Sequence, residues 1–288
     1  MTNLGILHPG QMGISVAASA KNSGCTVRWM GAGRSAQSHA RAQEHGLVDA
    51  GTLAELCRQS EIIVSVCPPH AAEDVADVVI EQGFGGIFVD ANAISPQRTR
   101  NIAGRVEASG ARFVDGGIVG NPAWKPGTTW LYLSGPDAAT VGAAFAAGPL
   151  GVEMIGDEIG KASALKMCYA ALTKGTTALL AGVFGAADQL GVLDELMAEW
   201  GRNGAKSGEE NARKVREVTA KAWRFTGEME EIAATFDAAG MPAGFHQAAA
   251  DIYQRLADFK DAPETPALAE VLAALQNPAE KAIHVVHS

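Results

Sequence analysis

The stretch Gly160–Leu190, GKASALKMCYAALTKGTTALLAGVFGAADQL, constrains this chain more than any other. It has no Pro, it is rich in Ala and Leu, and its only interior charges are Lys166 and Lys174. As one helix it would run about 45 Å, at a rise of about 1.5 Å per residue. Apolar residues cover nearly every face, which predicts a helix buried all round. Two Lys and several Gly interrupt the run, so it reads as a core helix and not as a membrane span. A Lys at position 166 is costly there unless its charge is used or satisfied. Lys166 is therefore a candidate general acid/base, work that suits a desolvated Lys. The bland alternative is a Lys that snorkels to solvent.

Upstream of that helix the chain alternates strand-like and helix-like segments. Leu4–Leu7 is apolar and is followed by His8-Pro9-Gly10-Gln11-Met12-Gly13, then a helical pattern over Ile14–Ser23. In such a strand–turn–helix, Gly10 lets the backbone approach a pyrophosphate and Gly13 lets helix and strand pack closely. The helix N-terminus offers free N–H groups to phosphate. His8 stands where a GxGxxG motif has its first Gly, so the motif alone is weak. Further strands are expected at Thr26–Met30, Ile62–Val66, Ile87–Asp90 and Arg112–Asp115. Helices are expected near Ser35–His45, Leu53–Gln59, Ala71–Glu81 and Pro96–Ser109. This rhythm predicts a parallel, doubly wound, Rossmann-like sheet with ligands at the strand C-terminal ends. There, Cys67, Pro68 and Pro69 follow one strand, and Asn92 and Ala93 another. These five join His8 through Gly13 as candidate cofactor contacts.

The end of the second strand bears on which cofactor. An NAD site usually carries an acid there, for the ribose 2′-OH. Here the segment reads Arg28-Trp29-Met30-Gly31-Ala32-Gly33-Arg34-Ser35, with no acid before Glu44. Arg34 and Ser35 can grip a 2′-phosphate, which points to NADP(H). Downstream, Phe113–Gly135 is rich in Gly and Pro, with a strand at Thr129–Leu133. Asn121 and Trp124 are candidate substrate contacts; Trp124 could equally serve packing alone. A small-residue helix over Asp137–Ala147 and an edge strand at Glu153–Ile155 complete a first domain, residues 1–156.

Residues 157–288 form the second domain, entered through the long helix and expected to be all-helical. Glu209–Lys214 reads as a solvated helical face. Ala222–Ala239, stopped by Gly240, Pro242–Asp258 and Ala267–Gln276 are expected helices, and the tail ending His284–Ser288 is expected to be loose. His246 is either a pocket residue or a satisfied packing histidine. A net charge of −9 and the lack of any Lys/Arg block exclude nucleic acid and anionic membranes as expected partners. Cys25, Cys57, Cys67 and Cys168 and the seven His show no metal-ligand spacing, so no metal is expected and the thiols read as reduced core residues. The start MTNLGILHPG lacks the features of a signal peptide, which gives a cytoplasmic expectation.

The chain resembles the 6-phosphogluconate dehydrogenase and β-hydroxyacid dehydrogenase superfamily, over nearly its whole length. The residues that carry the resemblance are Leu7–Gly13, Gly33-Arg34-Ser35, Val89–Pro96, Phe113-Val114-Asp115, and Gly160 followed by Lys166. Ala222–Arg255 resembles a C-terminal domain of unassigned function found in one branch. The resemblance implies that the long helix joins the domains and that Lys166 is the catalytic Lys. Two departures stand out. Val119-Gly120-Asn121 replaces the family's carboxylate-binding Ser-Gly-Gly, and Ala170 replaces an Asn, with Tyr169 one residue before it. Asp115–Ile118 and Leu131–Gly135 are also similar to imine reductases.

The expectation is thus an NADP-dependent dehydrogenase or reductase that acts on a small carbonyl or hydroxy compound. Lys166 and Tyr169 are the catalytic candidates, and Val119, Gly120, Asn121, Trp124 and His246 the substrate candidates. The alternatives are an imine reductase and a non-catalytic NADPH-binding sensor. The long helix is apolar on more faces than one chain covers, so a homodimer is expected.

Overall fold

A computed structural model describes residues 1–202, 207–260 and 262–277; the expected loose tail lies outside them. The chain divides into two compact units, Met1–Tyr169 and Ala170 onward. That division falls inside the long helix, α7 (Lys161–Gln189), and not at residue 156. The first two turns of α7 belong to the sheet domain because its N-terminus is hydrogen-bonded to that sheet, as described below.

The first unit is one eight-stranded sheet with helices on its faces. Its elements are β1 (Asn3–Ile6), α1 (Gln11–Asn22), β2 (Thr26–Trp29), α2 (Ala36–Glu44), β3 (Val48–Asp49), α3 (Leu53–Gln59), β4 (Ile62–Ser65) and α4 (Ala72–Glu81). Then follow β5 (Ile87–Asp90), α5 (Pro96–Ala108), β6 (Arg112–Gly120), β7 (Thr129–Ser134), α6 (Ala138–Ala143) and β8 (Gly151–Met154). The strand order is β3-β2-β1-β4-β5-β6-β7-β8, so the order reverses between β1 and β4. Ligands of open α/β sheets lie at such a switch point, beyond the strand C-termini. β4 and β5 are buried at every residue, as strands covered on both faces must be. Two apolar layers cover the sheet. One is built around Leu4, Ile6, Val64 and Val89, the other around Ile63, Phe88, Ile102 and Phe113.

The sheet is not wholly parallel, which corrects the sequence expectation. β6 runs on past Asp115 to Gly120 and pairs antiparallel with β7. Residues 121–128 are too few for a parallel crossover, which needs a dozen or more. Val119 and Gly120 are therefore ladder residues opposite Trp130 and Thr129.

The second unit is helical: the rest of α7, α8 (Leu193–Gly201), α9 (Ser207–Ala238), α10 (Gly244–Arg255) and α11 (Leu268–Gln276). α9 is one continuous helix that joins the solvated helical face expected at Glu209–Lys214 to the helix expected at Ala222–Ala239. Exposed i,i+4 pairs, Arg213–Glu217 and Lys214–Glu210, line its charged first half. Met229 and Ile232 are fully buried in its second half.

α7 is not buried all round within one chain. By length and composition it could cross a membrane, yet 44% of its most apolar window is buried within the structure. Leu172 and Leu179 remain 73% and 55% exposed. Cys168 is exposed as well, so it is not the core thiol the sequence predicts; Cys25 and Cys57 are buried.

Candidate active site

The turn after β1 packs on itself. Gly10 N–H donates to His8 O at 2.8 Å, and a Cβ at Gly13 would lie 2.1 Å from that same oxygen. Only Gly fits position 13. A Cβ at Gly10 would meet nothing within 4 Å, so the turn opens outward there. No side chain caps α1, which leaves its first N–H groups for a ligand. His8 is half-buried. Burial first, then the Arg34 charge, push its pKa down to about 4, so its imidazole is neutral at physiological pH.

Beside this turn, Arg34 Nη2 donates to Leu7 O at 3.2 Å, while His8 Nδ1 and Arg34 Nε are buried without hydrogen-bond partners among the described residues. Ser35 is the N-cap of α2, its Oγ accepting from Ser38 N–H. The sequence reading missed one acid. Asp49 on β3 pairs with Trp29 and reaches the loop after β2, where its Oδ1 accepts from Gly31 N–H at 3.0 Å and Gly51 N–H at 2.7 Å. It is adjacent in space but 18 residues away from Gly31 in sequence.

The ends of β4 and β5 are tied together. Asn92 Oδ1 accepts from Cys67 N–H at 2.6 Å, and Asn92 Nδ2 donates to Ser65 Oγ at 3.2 Å. The Asn92 amide thus braces two loops at the sheet edge. Cys67 is a protonated thiol, pushed up to about 12 mainly by burial. Asp90 Oδ1 accepts from Asn92 N–H at 2.9 Å. The Asp90 carboxyl is fully enclosed, and burial pushes its pKa from 3.8 up to about 7. Asp115, its neighbour in register, adds repulsion, and Arg98 opposes it.

The raised Asp90 pKa has a consequence for stability. The native state holds this proton more tightly than the unfolded chain, so stability present at low pH falls as pH rises through about 7. At about 1.4 kcal/mol per unit, the loss is on the order of a few kcal/mol. Asp90→Asn is therefore expected to raise the melting temperature at pH 8, with the gain shrinking toward pH 4. A gain that does not change with pH would contradict this.

Lys166 is set by the start of α7. Asp115 Oδ2 accepts from Gly160 N–H, Ser163 N–H and Ser134 Oγ, each at 3.0 Å, and Oδ1 from Ser163 Oγ at 2.6 Å. A strand carboxylate so caps the helix and neutralises its positive end. Burial pushes the Asp115 carboxyl up, and these donors oppose it. The chain then passes over Gly117, where a Cβ would lie 2.6 Å from Ala162 O and 3.2 Å from Lys166 Cβ. Gly117 lies past the level at which β5 ends, so half-buried Lys166 stands at the sheet edge from which Asn92 and Ala93 emerge. Tyr169 follows one turn later and is half-exposed. In sequence nothing marks Asp115 as the cap, since Gly160 and Ser163 lie 45 and 48 residues away.

Residues 3–144 match the NAD-binding domain of 6-phosphogluconate dehydrogenase. The N-terminal unit is an NAD-binding domain of this family. Residues 187–256 match a domain of unknown function, DUF1932. An uncharacterised 28.5 kDa protein of Methanothermus fervidus is 32% identical over 57% of this chain and 63% of its own length. The mitochondrial 3-hydroxyisobutyrate dehydrogenase of Drosophila melanogaster is 25% identical over 47% of this chain and 43% of its own. The chain therefore spans less than two thirds of these curated relatives. Among solved structures, 3-hydroxyisobutyrate dehydrogenase from Salmonella typhimurium has a TM-score of 0.67 at 19% identity, over 95% of this chain and 99% of that one. An imine reductase from Streptomyces aurantiacus has a TM-score of 0.54 at 19% identity, over 96% and 100%. Both show the fold: a Rossmann-like domain, a long helix and a helical C-terminal domain.

The NAD-binding domain gathers most of the expected residues at one sheet edge. His8–Gly13 form the turn after β1, with Arg34 and Ser35 after β2, Cys67–Pro69 after β4 and Asn92 and Ala93 after β5, while Lys166 comes from α7 over Gly117 of β6. Its open Gly10, uncapped α1 and partnerless His8 Nδ1 and Arg34 Nε fit a dinucleotide. Trp124 lies in the loop between β6 and β7. It stacks on His45 at 4.9 Å and 17°, in a loop held by Ala123 N–H on Ser15 Oγ at 2.9 Å. That stack leaves Trp124 48% exposed. Asn121 lies in the same loop, its carbonyl accepting from Thr129 Oγ1. His246 belongs to the helical unit, 4% exposed, with its ring 4.3 Å from Phe236 and 5.1 Å from Phe245. Burial pushes its pKa down, and its Nδ1 is buried without a hydrogen-bond partner among the described residues.

Proposed function

We propose that this protein is an NADP(H)-dependent oxidoreductase that acts on a small carbonyl or hydroxy compound, with Lys166 as general acid/base. The observation that carries the reading is Lys166 held over Gly117, at the sheet edge that also bears the open Gly10 turn. When bound, the nicotinamide supplies hydride chemistry. The chain's part is to bind, orient and move a proton. The Gly10–Gly13 turn and α1 N-terminus hold pyrophosphate, and Arg34 takes the 2′-phosphate. Lys166 Nζ gives a proton to the substrate oxygen in reduction and accepts it in oxidation. The Asp115 cap fixes the register of α7 and hence the height of Lys166. Tyr169, one turn on, is the second proton donor candidate. An imine substrate is the alternative, since imine reductases share the fold.

Calorimetry tests the cofactor. NADPH is expected to bind more tightly than NADH, and Arg34→Ala to weaken NADPH roughly 10- to 150-fold with little effect on NADH. The reverse preference would favour a second reading, in which Asp49 Oδ2 holds a ribose diol; Asp49→Asn would then weaken NADH.

We also propose a homodimer through α7. Leu172, Thr176, Leu179, Val183, Ala186 and Leu190 repeat at alternating steps of four and three, the spacing of a helix–helix seam. Leu172, Leu179 and Leu190 are 73%, 55% and 75% exposed in the single chain. Light scattering is expected to give a dimer at micromolar concentration, and Leu172→Glu/Leu179→Glu a monomer. A monomeric wild type would exclude the seam.

A further inference from the structure

We propose that Arg41 is a second specificity-determining residue for the cofactor 2′-phosphate, acting beside Arg34; this rests on the NADP(H) reading above. Arg41 lies in α2, seven residues after Arg34, and its Nη1 donates to Pro9 O at 2.9 Å. Arg34 donates to Leu7 O. Two guanidinium groups from the β2–α2 segment are thus anchored on carbonyls of the turn after β1. They border the gap between that turn and the end of β2, where the adenosine ribose of a dinucleotide lies.

Their charges are not spent on the protein. Arg58, Arg105, Arg112 and Arg213 pair with carboxylates, whereas neither Arg34 nor Arg41 has a carboxylate within 4.0 Å among the described residues. Asp49, the acid at this loop, directs Oδ1 to two backbone N–H groups. His8 between them is neutral, so the two arginines supply the positive side-chain charge at the turn. The chemistry that matches is a phosphomonoester. A terminal phosphate carries close to two negative charges and three acceptor oxygens, enough for two guanidinium forks. The pyrophosphate bridge carries one charge per phosphorus and is served by the α1 N-terminus. One arginine would distinguish NADPH from NADH, and two would make the distinction hard to lose by a single substitution.

The test uses the full chain and calorimetric titration with adenosine 2′,5′-bisphosphate and adenosine 5′-monophosphate, so it needs no turnover. Arg41→Ala is expected to weaken the bisphosphate about tenfold or more, and the monophosphate less than about threefold. Arg41→Gln keeps a polar side chain but lacks the charge, and it is expected to lose the same preference. Arg34→Ala/Arg41→Ala is expected to bind both ligands alike. An equal loss of both ligands in Arg41→Ala, with Arg41→Gln restoring them, would make Arg41 a brace for the turn and overturn the proposal. So would unchanged binding in both Arg41 variants. A wild type with no preference for the bisphosphate would instead sink the NADP(H) reading itself, and this role with it.

Discussion

Lys166→Met is expected to lower turnover by roughly 10²–10⁴-fold, the worth of a positioned general acid/base. NADPH affinity should hold, because the turn after β1 and Arg34 lie on other elements. Folding should hold too. Met keeps most of the length of the side chain, and the α7 start is fixed by Asp115, which the substitution does not touch. The competing role, a half-buried Lys that only reaches for solvent, predicts a loss under about tenfold and an unchanged or higher melting temperature. The measurement is kcat beside the NADPH Kd and the melting temperature. Near-wild-type kcat would remove Lys166 from the mechanism and leave Tyr169 as the candidate donor.

Lys174→Met is expected to behave in the opposite way, with a large effect on stability. Lys174 lies in the helical unit, ion-paired with Glu228, their side chains 15% and 12% exposed. Its ammonium also stands 4.7 Å from the Phe225 ring centre, and its carbonyl accepts from Tyr253 Oη at 2.7 Å. Removing one partner leaves a buried, uncompensated charge on the other, at a cost of about 3–5 kcal/mol. The melting temperature should fall by roughly 10 °C. Lys174→Met/Glu228→Leu removes both charges and should recover most of the loss, since apolar pairs often replace buried ion pairs without penalty. A double variant as unstable as the single one would show that the cost lies in packing and not in the orphaned Glu228.

The two lysines show what the sequence could and could not tell. Both stand out as charges in an apolar helix, and that signal is local. Their fates differ because of residues remote in the chain. Glu228 is 54 residues from Lys174, and no periodicity marks it as the partner. Gly117, which lets α7 approach the sheet beneath Lys166, reads in sequence as one of several loop glycines. The strand–helix alternation was legible because buried parallel strands such as Ile62–Ser65 are short continuous apolar runs. β6 was read short because Gly116 and Gly117 look like a loop, although they continue the ladder opposite Leu133 and Tyr132. Asp49 escaped notice because β3 is only two residues long, and its bearing on the β2 loop exists only once the strands pair.

We propose hydride transfer at the edge of this NAD-binding domain, with Lys166 moving the proton. Its most direct test is label transfer from NADPH deuterated at C4, in both stereochemical forms, with purified protein and a panel of carbonyl compounds and imines. The account predicts that one form delivers deuterium to the carbinol carbon of an alcohol product, read by mass spectrometry, and that Lys166→Met slows delivery by the factor given above. Label found only in amine products would replace the carbonyl reading with imine reduction. No label in any product, with NADPH still bound, would contradict the enzyme reading and leave a nucleotide-binding protein without turnover.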